Sequence, residues 1–187
     1  METVSEVLND TTTKIAKSFE ALKAQFSGLR TGKASPALVD GIKVDYYGAP
    51  TPVNQLAAVS VAEARVLTIQ PWDGSVCRAI ERAIQTSDIG INPQSDGKTI
   101  RLIFPPLTEE KRKDIVKDVS HMAEEAKIAL RSIRRDAMEK LKAMKKDGEL
   151  TEDDLKQAEK KTQELTDKYV KQADERSAAK QKEVLTL

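Results

Sequence analysis

The clearest chemical feature of the chain is a set of cationic side chains along one side of a predicted helix in its C-terminal half. A helix that turns by about 100° per residue separates the charges of this stretch into a basic sector, an acidic sector and an apolar stripe. The basic sector, called the basic edge below, contains Lys113, Lys117, Lys127, Arg131, Arg134, Arg135, Lys142 and Lys145. Cations stacked along one line repel one another unless an anion lies opposite, so the basic edge predicts contact with phosphate groups.

Within the basic edge, Arg131, Arg134 and Arg135 are the best candidates for this contact, because a guanidinium group can donate to two phosphate oxygens at once. Aromatic residues are not interleaved with the cations, so the edge should recognise the shape and backbone of RNA rather than stack on its bases. The alternative is an ordinary solvated helix face with charges paired at i,i+4. With a net charge of +1 and 33% charged residues, any RNA-binding surface depends on how charge is sorted.

Residues arranged for catalysis, nucleotide binding or metal binding are not found. The segment from Gly28 to Ala34 resembles a Walker A loop, but three residues separate its glycines where four are needed, and alanine replaces the magnesium-binding hydroxyl residue. His121 and Cys77 are each the only residue of their type, which excludes a His/Cys zinc cluster. We therefore expect a protein that is not an enzyme and needs no cofactor or metal.

Three amphipathic helices are predicted to carry these residues. The apolar stripe of the first helix comprises Val4, Leu8, Ile15, Phe19, Leu22, Phe26 and Leu29, and that of the second comprises Ile115, Val119, Met122, Ala126, Ile133, Ala137, Leu141 and Met144. A third stripe follows a short Lys-Asp-Gly-Glu turn, and a short turn places consecutive helices antiparallel. These stripes predict an elongated antiparallel three-helix bundle formed by residues 1–30 and 106–187.

Local signals predict the ends of the last two helices. Thr108 is the expected N-cap of the second helix, and Gly148 lies just past its end. The third helix should begin with a capping box, in which Thr151 caps the helix and Asp154 takes the reciprocal position.

The segment between the first two helices has the alternating apolar pattern of β-strands. Strands are expected around residues 42–46, 57–61, 67–69 and 100–104, and a helix around residues 76–84. We predict an inserted small α/β domain with a mixed sheet over residues 31–105, and hence an α+β fold class. The two crossings between the domains predict hinges at 30–32 and 105–106, formed by Arg30, Thr31, Gly32, Pro105 and Pro106.

Several sequence features predict a cytoplasmic location without a membrane partner. Every apolar run is shorter than the roughly 18 residues that a membrane span needs. The N-terminus lacks a basic leader followed by an apolar stretch, and a single cysteine suits a reducing compartment.

Five sequence blocks carry a family resemblance. The block RTGKASPALVDGI at residues 30–42, followed by YYGAPTP at 46–52, resembles the signature of the bacterial and organellar ribosome recycling factor family. Further matches are TSDIGINP at 86–93, PPLTEEKRK at 105–113 and RSIRRDA at 131–137, in the family's order and across essentially the whole chain. Lys33 stands where the family commonly has arginine, which keeps the charge but loses the planar fork.

The resemblance implies a translation factor that binds the ribosome after termination. Together with elongation factor G and its GTP hydrolysis, such a factor splits the ribosome into subunits so that mRNA and tRNA can leave. Its ribosomal contact would be chiefly with large-subunit rRNA, and we expect it to act as a monomer. The predicted RNA-binding residues are Arg30, Lys33, Arg112, Lys113, Lys117, Lys127, Arg131, Arg134 and Arg135.

Two other protein classes remain open from the residues alone. A coiled-coil interaction protein would pack its apolar stripes between chains and form oligomers. A general RNA-binding protein or RNA chaperone would use the same basic edge without needing the inserted domain.

Overall fold

The structure is a computed structural model that describes residues 3–186, and the chain divides into two compact units. The first unit joins the chain up to Phe26 with Lys113–Thr186, and the second is Ser27–Arg112. Both limits lie a few residues outside the predicted domain boundaries. In chain order the elements are α1 (Val4–Ser27), β1 (Lys43–Tyr46), β2 (Ala49–Pro52), α2 (Val53–Leu56), β3 (Ala57–Glu63), β4 (Val66–Pro71), α3 (Cys77–Thr86), β5 (Gln94–Ser95), β6 (Ile100–Ile103), α4 (Glu109–Lys146) and α5 (Glu152–Leu185).

The first unit is a bundle of α1, α4 and α5 held together by their apolar stripes. The fully buried residues of α4 are Val119, Ala123, Leu130, Ala137 and Leu141, which recur at steps of four and seven along one face. Val7 of α1 and Leu155 of α5 pack with Leu141 in one cluster. Each buried leucine or valine stabilises the bundle by about 1.5–3 kcal/mol relative to an exposed side chain.

The ends of α4 and α5 confirm the predicted capping signals. The Thr108 hydroxyl accepts a hydrogen bond from the Lys111 amide at 3.3 Å, and α4 begins at the next residue. After α4, Gly148 adopts a φ of +79°, a left-handed conformation that glycine tolerates at low cost. Thr151 accepts from the Asp154 amide at 3.2 Å, which confirms the predicted N-cap. The reciprocal half of the capping box differs from the prediction, because the Asp154 carboxylate accepts from the Thr151 hydroxyl at 2.6 Å in place of the Thr151 amide. Both helix starts are therefore encoded locally.

The second unit contains a four-stranded sheet in the order β3-β4-β6-β5 and a separate β1-β2 hairpin. Leu67 and Ile69 of β4 and Leu102 of β6 are fully buried, and Ile80 and Ile84 of α3 belong to the same core cluster. A central sheet with one face covered by α3 is thus the core of this unit.

The predicted α+β fold class is confirmed, but the expectation of a mixed sheet is wrong in detail. Every strand pair among residues 3–186 is antiparallel. The physical reason is β5, a two-residue strand that the sequence pattern did not reveal. The crossover through α3 joins β4 to β5, which run in the same direction, and β6 then turns back and inserts between them. The two strands that α3 connects, β4 and β5, are therefore parallel to each other, but they are not neighbours in the sheet.

None of the helices within residues 3–186 combines the length and the apolar character that a membrane crossing requires.

Candidate nucleic-acid interface

The structure divides the basic edge of α4 into two rows. The inner row, Lys127, Arg134 and Lys145, faces α5 and contacts its polar side chains. Lys127 Nζ lies 2.8 Å from Asp174 Oδ1, and Arg134 Nη1 donates to Gln163 Oε1 at 3.1 Å. Lys145 forms an ion pair with Glu152. As the residue numbers on α4 increase, those of their partners on α5 decrease, which is expected for antiparallel helices. The inner row therefore takes part in joining the two helices.

Lys127 is the most deeply engaged member of the inner row. Its side chain is only 16% exposed, and its ammonium group also lies 2.9 Å from Glu124 Oε2. Hydrogen bonds to Asp174 and then to Glu124 raise the pKa of Lys127 above its ordinary value. The ammonium therefore stays charged at neutral pH, but its donors are directed at two carboxylates of the protein. Lys127 thus lies in an ion-pair network that joins α4 to α5.

Glu124 is an acidic residue among the cations of the basic edge that the sequence analysis missed. Its carboxylate bridges Lys127 and Arg131, with Oε1 at 3.4 Å from Arg131 Nη1. The hydrogen bond from Lys127 is the main reason that the pKa of Glu124 is lowered, and Arg131 adds to it. The signal was available, since projection at about 100° per residue places Glu124 within the basic sector.

The outer row, Lys113, Lys117, Arg131, Arg135 and Lys142, is exposed along its length. Lys117 lies 3.6 Å from Asp114, an exposed pair of the kind that contributes about 0–1 kcal/mol. Arg135 and Lys142 have no ion-pair or hydrogen-bond partner within the described part of the chain. Their donors can therefore reach an external anion without first breaking an internal hydrogen bond.

A groove runs between α4 and α5 beside the outer row. Its lining residues are Arg134, Arg135, Met138, Lys142, Lys156, Glu159, Lys160 and Gln163. Lys156 and Lys160 were missed because the charges of α4 were projected alone. Only the pairing of the two helices brings these lysines of α5 next to the arginines of α4.

The other three predicted RNA-binding residues belong to the second unit. Arg30 and Lys33 are exposed, and Arg30 Nη1 lies 3.6 Å from the position that a Cβ on Gly90 would occupy. Arg112 is half-buried, and its Nε is buried without a hydrogen-bond partner among residues 3–186. Arg112 is thus less exposed to solvent than the residues of the outer row.

The two reactive side chains considered in the sequence, Cys77 and His121, do not belong to the basic edge. Cys77 is buried at the start of α3. The exposed His121 lies 3.2 Å from Glu125, on the acidic side of α4. No group of three His, Cys, Asp or Glu side chains able to hold a metal ion occurs within residues 3–186.

The predicted hinge residues lie in two irregular segments. Ala34 donates its amide to Ala64 O at 2.9 Å, and Phe104 donates to Arg65 O at 2.8 Å, so both segments are anchored to the β3-β4 turn. Between these anchors and the ends of α1 and α4 lie Thr31, which is buried, and Pro105 and Pro106, which are exposed. Both unit limits lie beyond these residues, so 30–32 and 105–106 fall inside the second unit.

Among the predicted hinge residues, Gly32 is the one whose identity the backbone constrains most. Its φ is +79°, and a Cβ added there would lie 3.1 Å from Leu107 Cγ. We expect Gly32→Ala to lower the free energy of unfolding in urea by about 1–2 kcal/mol through the left-handed conformation alone, with more if Leu107 must shift. Gly97 has a φ of +88° and no atom within 4 Å of an added Cβ, so Gly97→Ala should show only the cost of the left-handed conformation. Gly41→Ala should show neither that cost nor a steric one, because Gly41 has no positive φ and no atom within 4 Å of an added Cβ. Equal stability of the Gly32 and Gly41 variants would contradict this prediction.

The two units and the cationic surface define a class of protein: a two-unit α+β chain with an exposed row of cations along its long helix α4. Comparison with known proteins identifies the family. The model of the family described as ribosome recycling factor matches residues 22–185. The chain belongs to the ribosome recycling factor family, which confirms the resemblance found in the sequence.

Individual relatives support this assignment. The ribosome-recycling factor of Acetivibrio thermocellus is 56% identical over 172 residues, covering 92% of this chain and 94% of the relative. That of Halalkalibacterium halodurans is 55% identical, covering 96% and 97%. A solution structure of the ribosome recycling factor matches with a TM-score of 0.82 at 36% identity, covering 100% of both chains. A chain from models of the T. thermophilus factor and E. coli elongation factor G bound to the E. coli post-termination complex matches with a TM-score of 0.70 at 44% identity, covering 98% and 99%.

Proposed function

We propose that this protein releases ribosomes from mRNA after termination by splitting post-termination complexes into subunits, together with elongation factor G and GTP. The observation that carries the proposal is its similarity to ribosome recycling factors over nearly the whole chain. One of the similar structures describes such a factor with elongation factor G on a post-termination complex. The protein would act as a non-enzymatic factor, with GTP hydrolysis supplied by its partner.

The proposed ribosome contact is between the basic edge and the phosphates of large-subunit rRNA. Arg131 and Arg135 are exposed, and Arg134 keeps further N–H donors besides the one bonded to Gln163. Lys113 and Lys117 would extend this contact along the outer row, with Arg30, Lys33 and Arg112 contributing from the second unit. Lys127 would act indirectly, since its ammonium holds Glu124 and Asp174.

The proposed movement is a rotation of the inserted domain, residues 31–105, about hinges at 30–32 and 105–106. The absence of regular structure between Ser27 and Ala34, and between Phe104 and Glu109, supports this proposal. We further propose that the protein acts as a monomer in the cytoplasm. Sedimentation should then show a single chain, whereas a coiled-coil interaction protein would sediment as an oligomer.

Light scattering of post-termination ribosomes tests the function directly. We expect scattering to fall when this protein, elongation factor G and GTP are all present, and to stay constant when any one is omitted. A fall without elongation factor G would contradict the proposed mechanism. Binding to ribosomes without any fall in scattering would favour a general RNA-binding protein.

Glu124 should weaken RNA binding, because its carboxylate competes with phosphate for Arg131. We expect Glu124→Gln to tighten binding to large ribosomal subunits by about two- to fivefold, a small effect because solvent screens an exposed ion pair. Glu125→Gln is the matched control: it makes the same charge change at the next residue, but that side chain pairs with His121 on the acidic side. Equal tightening in both variants would show that only net charge matters.

A further inference from the structure

The charged residues that line the groove between α4 and α5 are nearly all cations. The ion pairs that join the two helices do not explain this excess. Five cations line it: Arg134, Arg135 and Lys142 from α4, and Lys156 and Lys160 from α5. Glu159 is the single carboxylate among the lining residues. Like charges that face each other across a helix pair oppose the packing of the two helices.

Other lysines at the same helix pair have acidic partners on α5. Lys127 is paired with Asp174, and Lys145 with Glu152. Lys142 and Lys156 have no ion-pair or hydrogen-bond partner among residues 3–186, and Lys160 reaches Glu164 only at 3.9 Å, with both side chains well exposed. The groove thus departs from the charge pairing used elsewhere between these helices.

Arg134 is held in place in the wall of the groove. Its Nη1 donates to Gln163 Oε1 at 3.1 Å, while Gln163 Nε2 donates to Asp167 Oδ1 at 2.8 Å. Because Asp167 accepts a hydrogen bond from the amide nitrogen of Gln163, the amide oxygen of Gln163 faces the guanidinium of Arg134. The orientation of Arg134 is therefore set before any ligand arrives, which reduces the entropy cost of binding an anion.

We propose that this groove is a phosphate-binding site for RNA, in which Lys156 and Lys160 form a second wall opposite Arg134 and Arg135. The proposal rests on the proposed function and extends its RNA contact from α4 to α5. A backbone strand lying in the groove would contact cations on both sides, whereas the basic edge alone would contact it from one side. Lysine ammonium groups suit such a wall because each can donate to phosphate in several directions.

The test measures binding to isolated large ribosomal subunits over a series of monovalent salt concentrations. We expect Lys156→Gln with Lys160→Gln to weaken binding about tenfold and to reduce the salt slope by about 2, one for each phosphate that a lysine no longer neutralises. The control is Lys161→Gln with Lys168→Gln, which removes the same charge from exposed positions of α5 outside the groove. Both control substitutions should leave the salt slope unchanged.

The outcomes separate this proposal from the proposed function. If the groove variant matches the control in affinity and slope while alanine at Arg131, Arg134 and Arg135 abolishes binding, the RNA-binding surface is confined to α4 and the groove proposal is wrong. If the wild-type protein fails to bind large subunits, the proposed function fails and the groove proposal fails with it. Because all four lysines are exposed, circular dichroism should show the same helix content in every variant.

Discussion

Replacing Arg131, Arg134 and Arg135 together by alanine is expected to weaken ribosome binding by about a hundredfold or more at moderate salt. A hydrogen bond to a charged group contributes about 1.5–3 kcal/mol, and each 1.4 kcal/mol is a tenfold change in affinity. The effects of neighbouring substitutions do not add fully, so we expect less than the sum of three separate effects. The salt slope should fall by about 2 to 3, since each arginine neutralises about one phosphate.

A matched triple variant separates this effect from a change in net charge. Lys161, Lys168 and Lys182 are exposed residues of α5 outside the groove, and replacing them by alanine removes the same three charges. That variant should bind with nearly wild-type affinity. If both triple variants lose affinity equally, or if the arginine variant binds as wild type at every salt concentration, α4 is not the RNA-binding surface.

The sequence of α4 alone predicts only those features of the candidate interface that depend on a single helix. Projection of α4 placed its cations on one side, because helix geometry alone fixes which residues share a side. Its predicted apolar stripe omitted Ala123 and Leu130, which are buried, and Glu124 went unnoticed among the cations. It could not reveal that Lys127 is occupied by Asp174, or that Lys156 and Lys160 lie beside Arg135, since those relations depend on the pairing of α4 with α5. Residues distant in sequence but adjacent in the bundle were therefore missed.

The fold shows the same division between local and tertiary information. Helix starts at Thr108 and Thr151 were predicted because caps are formed by side chains within one turn. Strand β2 was missed because its Ala-Pro-Thr-Pro sequence is untypical of strands; prolines are tolerated there because β2 pairs only with β1, at an edge. Strand β5 is too short for any periodic pattern, and its omission led to the incorrect mixed sheet.

The second large effect concerns the core that supports the basic edge. Leu130 is fully buried in α4, directly before Arg131, and Leu130→Ala would remove packing atoms and leave a cavity in the bundle. Buried leucine-to-alanine changes cost about 2–5 kcal/mol, depending on how far the site relaxes. We expect a decrease of this size in the free energy of unfolding, measured by urea titration of the helical circular dichroism signal.

Ile128→Ala is the control for this change, because Ile128 lies two residues earlier on the same helix and is 54% exposed. Its removal should change the free energy of unfolding by no more than about 0.5 kcal/mol, as is usual for surface substitutions. Similar decreases in the two variants would mean that Leu130 is not a core residue. A large decrease at Leu130 alone would show that the bundle core holds α4 in place, and with it the exposed arginines that we propose bind RNA.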